Sequence, residues 1–205
     1  MSHDDTYHRL ISLLDDTATP YRLIDHVPEG TTEAVSALRG HPLCQAAKCL
    51  ILRAKLDRRT TRHVLAVVPG DRRVDLDAVR ALFAARYVGV SDAVTAERLA
   101  RAAPGTVLPF SFDPDLALVT DPGVVAQPQL YFNAARLDRS LVISGTDYQQ
   151  LARPRVARIA GLPTDTADRT SAESGSPVPQ PGRSSRTAAS SSAAWTNAWG
   201  RLPRS

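Results

Sequence analysis

Residues 46–52 read AAKCLIL, an apolar run that predicts a buried β-strand with one lysine, Lys48, inside it. The chain has 25 basic residues, and all except Lys48 and Lys55 are arginines. An ammonium group is almost never fully buried without a partner, because its desolvation costs on the order of several kcal/mol. Lys48 is therefore paired with an anion, extends its ammonium to the edge of the fold, or is directed at an anionic ligand.

Helices and strands are mixed on both sides of this strand. A second apolar run, residues 63–68, predicts a buried strand after an arginine-rich turn. Helices are predicted to begin near Asp4, Thr31, Asp75 and Thr95, the second one ending at Gly40. Further strands are predicted at 21–26, 87–90, 116–119, 130–133 and 141–143, followed by a helical turn at 147–151. There is no strict βαβ alternation, and the closely spaced late strands favour antiparallel neighbours. The pattern predicts an α/β domain with a mixed, largely antiparallel sheet and surrounding helices.

Length and composition predict one domain and a tail. A chain of 205 residues is long enough for a single domain with a substantial core, which we assign to residues 1–161. Residues 162–205 are mostly Ser, Thr, Ala, Pro and Arg without apolar periodicity, so we expect them to be disordered. The net charge of +4 is too small for a dedicated nucleic-acid clamp, although it permits contact with phosphates.

Several classes of protein lack support in the sequence. The amino terminus is polar and no segment approaches the roughly 20 apolar residues of a membrane span, so we expect a cytoplasmic protein with no membrane partner. Cys44 and Cys49 have no second ligand pair, which argues against a metal site. The chain contains no GxSxG, HExxH, GxGxxG or P-loop pattern, and we expect no cofactor.

A set of short motifs suggests a function through its order and spacing. The motifs are, in chain order, His26, Thr31-Thr32-Glu33-Ala34, Lys48, Pro69-Gly70-Asp71, Gly105-Thr106-Val107-Leu108-Pro109-Phe110, Asp121 and Tyr131-Phe132-Asn133-Ala134. With a lysine in the apolar strand and a GxxxP loop after two helices, the chain resembles the YbaK/prolyl-tRNA-synthetase-associated editing domain over about residues 5–155. It looks like the free-standing deacylases, since no synthetase catalytic domain accompanies it.

The resemblance implies hydrolysis of the ester that joins a wrong, small amino acid to the 3′ end of a tRNA. Alanine, serine, threonine and cysteine all remain open as that amino acid. Lys48 would hold a phosphate or ribose oxygen, and the backbone at Gly105 would stabilise the oxyanion. The substrate-binding residues would be His26, Thr31, Thr106, Val107, Leu108, Pro109, Phe110, Asn133 and Ala135. The tRNA's own 2′-hydroxyl would help to position or activate water, so no side-chain nucleophile, metal or cofactor is expected.

Simpler interpretations remain open at this stage. His26 is often a core-edge histidine in such a position, and Gly105 would serve equally as the glycine that ends a helix. Family members usually have glycine where this chain has Ala135, and the extra methyl would narrow the amino-acid site or press on the backbone near the substrate. A non-catalytic module that binds tRNA or another partner on the same fold is the alternative function.

Overall fold

The computed structural model describes residues 3–163. Its helices are α1 (His3–Asp16), α2 (Thr32–Arg39), α3 (Leu76–Leu82), α4 (Ala93–Ala100), α5 (Pro122–Val125) and α6 (Gly145–Ala152), with a short 3-10 helix at Leu43–Gln45. The strands are β1 (Arg22–Asp25), β2 (Ala47–Lys55), β3 (Thr61–Pro69), β4 (Arg72–Val74), β5 (Tyr87–Val90), β6 (Leu116–Thr120), β7 (Leu130–Asn133), β8 (Arg139–Ile143), β9 (Arg155–Val156) and β10 (Ala160–Pro163). None of these helices is both long and apolar enough to cross a membrane.

The central sheet is built on the AAKCLIL strand and has the order β5-β2-β3-β6-β9. β2 pairs with β3 and β5 in antiparallel fashion, which a short turn between β2 and β3 permits. β6 is parallel to β3, and β9 is parallel to β6. The expectation of antiparallel neighbours for the late strands is therefore wrong for β6. The chain crosses over between β3 and β6 through β4, α3, β5 and α4, a connection long enough for parallel pairing.

Two smaller sheets complete the fold. One has the order β1-β8-β7 and is antiparallel throughout, and the other pairs β10 with β4. The predicted mixed, largely antiparallel α/β fold is confirmed. The proposed domain boundary after Gly161 falls inside β10, whose last residues are Leu162 and Pro163. The rest of the predicted tail lies outside the described residues.

The central sheet separates two apolar clusters. Cys49 and Ile51 of β2 belong to the first, which also contains residues of β7 and β8 and so joins the central sheet to the three-stranded one. Leu52 and Ala54 belong to the second, which packs under α3. Because side chains alternate along a strand, Lys48 shares the face of Leu52 rather than that of Cys49.

The helix ends follow local chemistry. Asp75 caps α3 by accepting a hydrogen bond from Ala78 N at 2.9 Å, and Gly40 ends α2 with a φ of 65°, as predicted. The predicted cap at Thr95 is wrong, because α4 is capped by Asp92, which accepts hydrogen bonds from the backbone N and the hydroxyl of Thr95. The Asp92 carboxylate, three residues before Thr95, is a stronger hydrogen-bond acceptor than the Thr95 hydroxyl that was predicted as the cap.

Asp121, one of the motif residues, has a structural role here. Its Oδ1 accepts from Gly123 N at 2.8 Å and so caps α5. Its Oδ2 accepts from Ile159 N at 2.9 Å and Ala160 N at 2.8 Å, which holds the start of β10 near the end of β6. The side chain is buried, so these bonds are shielded from water.

We expect Asp121→Asn to lower the free energy of unfolding by about 3 kcal/mol, because an amide cannot accept at both positions and leaves buried N–H groups unpaired. Urea unfolding measures this. Asp92→Asn is the matched control, since Asp92 is an exposed cap and asparagine caps almost as well, so its cost should stay near ~0.5 kcal/mol. Equal losses in the two variants would contradict the structural role.

Candidate functional site

A pocket opens where α2, the start of β2, the Gly105 loop and β7 meet. It is a shallow pocket that spans about 330 Å³ of unfilled space, open solvent included. Its lining consists of Gly30, Thr32, Val35, Arg39, Ala46, Ala47, Gly105, Val107, Tyr131, Phe132 and Asn133. Among these described residues Arg39 is the side chain that carries a charge at neutral pH, and the walls are otherwise backbone, small apolar groups and aromatic rings.

Three of the residues predicted for the site line this pocket: Gly105, Val107 and Asn133. The others lie behind or beside it. Leu108, Pro109 and Phe110 are buried, and Leu108 and Phe110 pack in the first apolar cluster. The Thr106 hydroxyl donates to Ala103 O at 2.9 Å within its own turn. Thr31 donates through its N and its hydroxyl to the Glu29 carboxylate.

Gly105 sits in a tight turn whose geometry requires glycine. Thr106 N donates to Ala103 O at 3.0 Å, and Gly105 follows Pro104 with a φ of 81°, the pattern of a type II turn. A Cβ at this position would lie 2.6 Å from the Cα of Gly30. The interpretation of Gly105 as a helix end is wrong, because α4 ends at Ala100 and Arg101 is its cap.

The turn leaves backbone donors at the pocket. Within the described residues, neither Gly105 N–H nor Val107 N–H has a hydrogen-bond partner. Both residues line the pocket, which is partly open to solvent. Two such N–H groups at one pocket can act as donors to an anionic oxygen.

The Asn133 side chain holds the two loops of the pocket together. Its Nδ2 donates to Gly105 O at 2.9 Å and to Glu29 O at 3.0 Å, so both amide hydrogens are used. Its Oδ1 accepts from the hydroxyl of Ser140 at 3.1 Å. Asn133 was expected to bind substrate, but its donors are taken up by the protein.

Ser140 connects this amide to residues that the sequence did not single out as a group. Arg39 Nη1 donates to Ser140 Oγ at 3.1 Å, and His26 Nε2 lies 2.6 Å from the same atom. His26 therefore stands behind Asn133 and does not line the pocket. Arg39 and Ser140 lie 101 residues apart in sequence, and no local pattern marks such a contact.

Arg39 brings a positive charge into the lining. Its Nε donates to Val35 O at 3.1 Å, and its guanidinium lies 5.8 Å from the ring centre of Tyr131. His41 stacks on the same ring with the two centres 3.8 Å apart. Burial lowers the pKa of Arg39 to about 10, which leaves the guanidinium charged at neutral pH.

Lys48 is buried at the junction of α2 and β2, outside the lining. Its Nζ lies 3.6 Å from Glu33 Oε1 and 3.5 Å from Arg72 O, both long for hydrogen bonds. Burial lowers the pKa of the Lys48 ammonium, and the nearby Glu33 carboxylate partly opposes that effect. The prediction that Lys48 is buried is correct. The direction of its side chain follows from the alternation of side chains along β2, which places it on the face of Leu52.

Ala135 lies in the turn between β7 and β8 with a φ of 58°, in the left-handed region that favours glycine. The residue is buried and packs in the first apolar cluster, and it is absent from the pocket lining. A glycine at this position would meet this backbone requirement without strain.

The described residues show no group of three or more His, Cys, Asp or Glu side chains arranged to hold a metal ion. Cys44 and Cys49 are both unpaired thiols.

Comparison with known proteins assigns the chain to a family. The family model of the aminoacyl-tRNA editing domain matches residues 26–151, which include the pocket. This chain belongs to the aminoacyl-tRNA editing domain family. The multifunctional Ser/Thr-tRNA deacylase ProXp-y of Escherichia coli strain K12 is 33% identical over 152 residues, covering 74% of this chain and 90% of that protein.

Solved structures share the fold of this editing domain. A crystal structure of a hypothetical protein aligns with a TM-score of 0.66 at 22% identity, over 74% of this chain and 99% of the other. A structure of a candidate trans-editing enzyme for prolyl tRNA synthetase aligns with a TM-score of 0.64 at 16% identity, over 76% and 97% of the two chains. The resemblance drawn from the motifs is confirmed.

We expect Asn133→Asp to lower the free energy of unfolding by about 3 kcal/mol, because it removes two buried donors and places an anion against two carbonyl oxygens. Urea unfolding measures this loss. Asn133→Ser is the matched comparison, since it leaves the carbonyls unpaired without adding charge and should cost less. If Asn133→Asp were as stable as the wild type, the amide would not hold the two loops.

Proposed function

We propose that this editing-domain protein is a trans-editing aminoacyl-tRNA deacylase, which hydrolyses the ester of a mischarged small amino acid on tRNA. The observation that carries the proposal is the pair of N–H groups of Gly105 and Val107, without protein partners in the described residues, at a pocket of a deacylase-related fold. Donors fixed before the reaction stabilise the tetrahedral oxyanion, and loss of one such donor costs about 3 kcal/mol in well-studied hydrolases.

The composition of the lining supports hydrolysis by water rather than by a protein nucleophile. Among the described residues that form the lining there is no Cys, His, Asp, Glu or Lys to act as nucleophile or base. Thr32 supplies a hydroxyl, but no basic side chain of the lining stands ready to activate it. We therefore assign the positioning or activation of water to the 2′-hydroxyl of the terminal ribose.

The relative's name narrows the choice of amino acid. ProXp-y acts on Ser- and Thr-tRNA, and we propose serine and threonine as the first substrates to consider here. Ala46 and Ala47 contribute only small side chains to the lining, and Thr32 contributes a hydroxyl-bearing one. Because its substrate is a charged tRNA, we propose that the protein acts in the cytoplasm.

A deacylation panel tests this function. Purified protein is incubated with tRNAs that carry serine, threonine, alanine or cysteine, each on a cognate and a non-cognate tRNA, and ester loss is followed over time. We expect turnover of Ser- and Thr-tRNA above the rate without protein. Binding of the same tRNAs without turnover of any ester would refute the deacylase and favour a non-catalytic module.

Gly105→Ala should lower turnover at least about tenfold, or roughly 1.4 kcal/mol in the barrier, because the new Cβ collides with Gly30 and shifts the backbone donors. Affinity for a non-hydrolysable aminoacyl-adenosine should change less. Deacylation kinetics and binding are measured on the same preparation.

Gly40→Ala controls for backbone strain. Gly40 also has a positive φ, 65°, but nothing lies within 4 Å of a Cβ there. It should cost about 1 kcal/mol of stability and leave turnover per folded molecule nearly unchanged. If Gly105→Ala likewise lost stability alone, the Gly105 loop would have no part in the chemical step.

We also propose that Lys48 holds an oxygen of the tRNA end from beside the pocket, since its long contacts leave donor capacity. Lys48→Met should lower turnover at least about tenfold while stability stays unchanged or rises by about 1 kcal/mol, because a buried charge is replaced by an apolar chain. Lys48→Arg should not restore activity, since a planar fork replaces a compact ammonium. Turnover and urea unfolding are compared for each variant.

Glu33→Gln separates this role from a structural one. If Lys48 serves only the ion pair with Glu33, the two single variants should lose equal activity. If it serves the substrate, Glu33→Gln should retain most turnover. Full turnover in Lys48→Met would remove Lys48 from the mechanism.

A further inference from the structure

Arg39 is a guanidinium in the pocket lining without a carboxylate partner. The ion pairs of the described residues include Arg80 with Asp77, Arg136 with Asp138 and Arg139 with Asp25, but none includes Arg39. Its contacts are neutral: Val35 O, Ser140 Oγ and the ring of Tyr131. A half-buried cation without an anionic partner carries a desolvation cost in the unliganded protein, and a bound anion would offset that cost.

The hydrogen-bond pattern shows which part of Arg39 remains for a ligand. Nε and Nη1 each donate once within the protein, and no described acceptor takes a hydrogen from Nη2. These two bonds and the Tyr131 ring fix the plane of the guanidinium. A fixed fork with remaining donors is suited to a phosphate, whose oxygens accept more than one N–H.

We infer that Arg39 forms a subsite for the phosphodiester on the 5′ side of the tRNA's terminal adenosine, an inference that rests on the proposed deacylase function. In an aminoacyl-tRNA this phosphate is the anionic group nearest the ester, whereas the α-amino group of the amino acid is cationic. With the phosphate on Arg39 and the ester carbonyl on the Gly105 and Val107 N–H groups, one pocket would hold the substrate at two points. Lys48 would then be left for a ribose oxygen.

The simpler alternative is a structural arginine. Arg39 lies in the last turn of α2, where a positive charge interacts favourably with the helix dipole, and it supports Ser140 behind Asn133. Replacement of a purely structural Arg39 would lower the stability of the protein and would weaken the binding of all ligands alike. A phosphate subsite instead affects only those ligands that carry the phosphate.

The test compares two non-hydrolysable ligands, 3′-deoxy-3′-(serylamido)adenosine and the same compound with a 5′-phosphate. Calorimetry gives the dissociation constant of each for the wild type, Arg39→Gln, Arg39→Lys, Lys48→Met and Arg80→Gln. We expect the phosphate to improve wild-type binding at least about tenfold, and this gain to shrink as salt is raised. In Arg39→Gln the gain should fall below about twofold, and Arg39→Lys should keep part of it.

Arg80→Gln removes the same charge from an exposed, paired arginine and should keep the full gain. If Arg39→Gln folds poorly, Arg39→Lys provides the test. A reduced gain from the phosphate in Arg39→Lys, with unchanged affinity for the unphosphorylated ligand, supports the subsite. An undiminished gain in Arg39→Gln overturns the inference, as does a gain lost only in Lys48→Met. The absence of any gain in the wild type, including the absence of all binding, also overturns it.

The deacylation panel keeps the two proposals apart. If the wild type hydrolyses aminoacyl-tRNA but shows no gain from the 5′-phosphate, the function stands and the Arg39 subsite fails. If the phosphate gain depends on Arg39 but no ester is hydrolysed, the subsite stands on a binding module and the deacylase fails.

Discussion

The pocket depends on one side-chain amide. Asn133 donates to the carbonyl oxygens of Glu29 and Gly105, and these two bonds bring together chain segments that are about 75 residues apart in sequence. The Gly30 and Gly105 backbones lie so close that a Cβ on Gly105 would be 2.6 Å from the Cα of Gly30. Without this amide, two partly buried carbonyls would lack donors and the loop that contains Gly105 and Val107 would lose its support.

A site made of backbone donors places unusual demands on the residues around it. A side-chain catalyst can be positioned by its own rotamer, but a backbone N–H points where the chain conformation directs it. The positive φ at Gly105, its contact with Gly30 and the Asn133 bonds together set that conformation. Ser140 extends the support, since its hydroxyl orients the Asn133 amide and accepts from Arg39. In the proposed site, residues without substrate contact thus help to set the positions of the backbone donors.

The sequence predicted what depends on local patterns. Apolar runs identified β2 and β3, Asp75 and Gly40 marked helix ends, and the unusual setting of Lys48 indicated a buried cation. β4, β9 and β10 were missed because two to four residues rich in polar or small side chains carry no periodicity. The parallel partner of β6 and the polar network of Asn133, Ser140 and Arg39 were also missed. Both depend on contacts between distant parts of the chain, which side-chain patterns do not encode.

Ala135 shows how a position outside the pocket can still govern it. Asn133 and Ser140 face each other across β7 and β8, and the turn between these strands contains Ala135 with its φ of 58°. Ala135 N donates to Asn133 O at 3.0 Å, and Ala134 N donates to Arg139 O at 2.9 Å, so the turn fixes the register that pairs the two polar side chains. A left-handed alanine costs about 1 kcal/mol relative to glycine, and burial of its methyl group offsets part of that cost. The residue at 135 thus acts on the site through the hairpin that orients Asn133, and its side chain does not need to reach the substrate to do so.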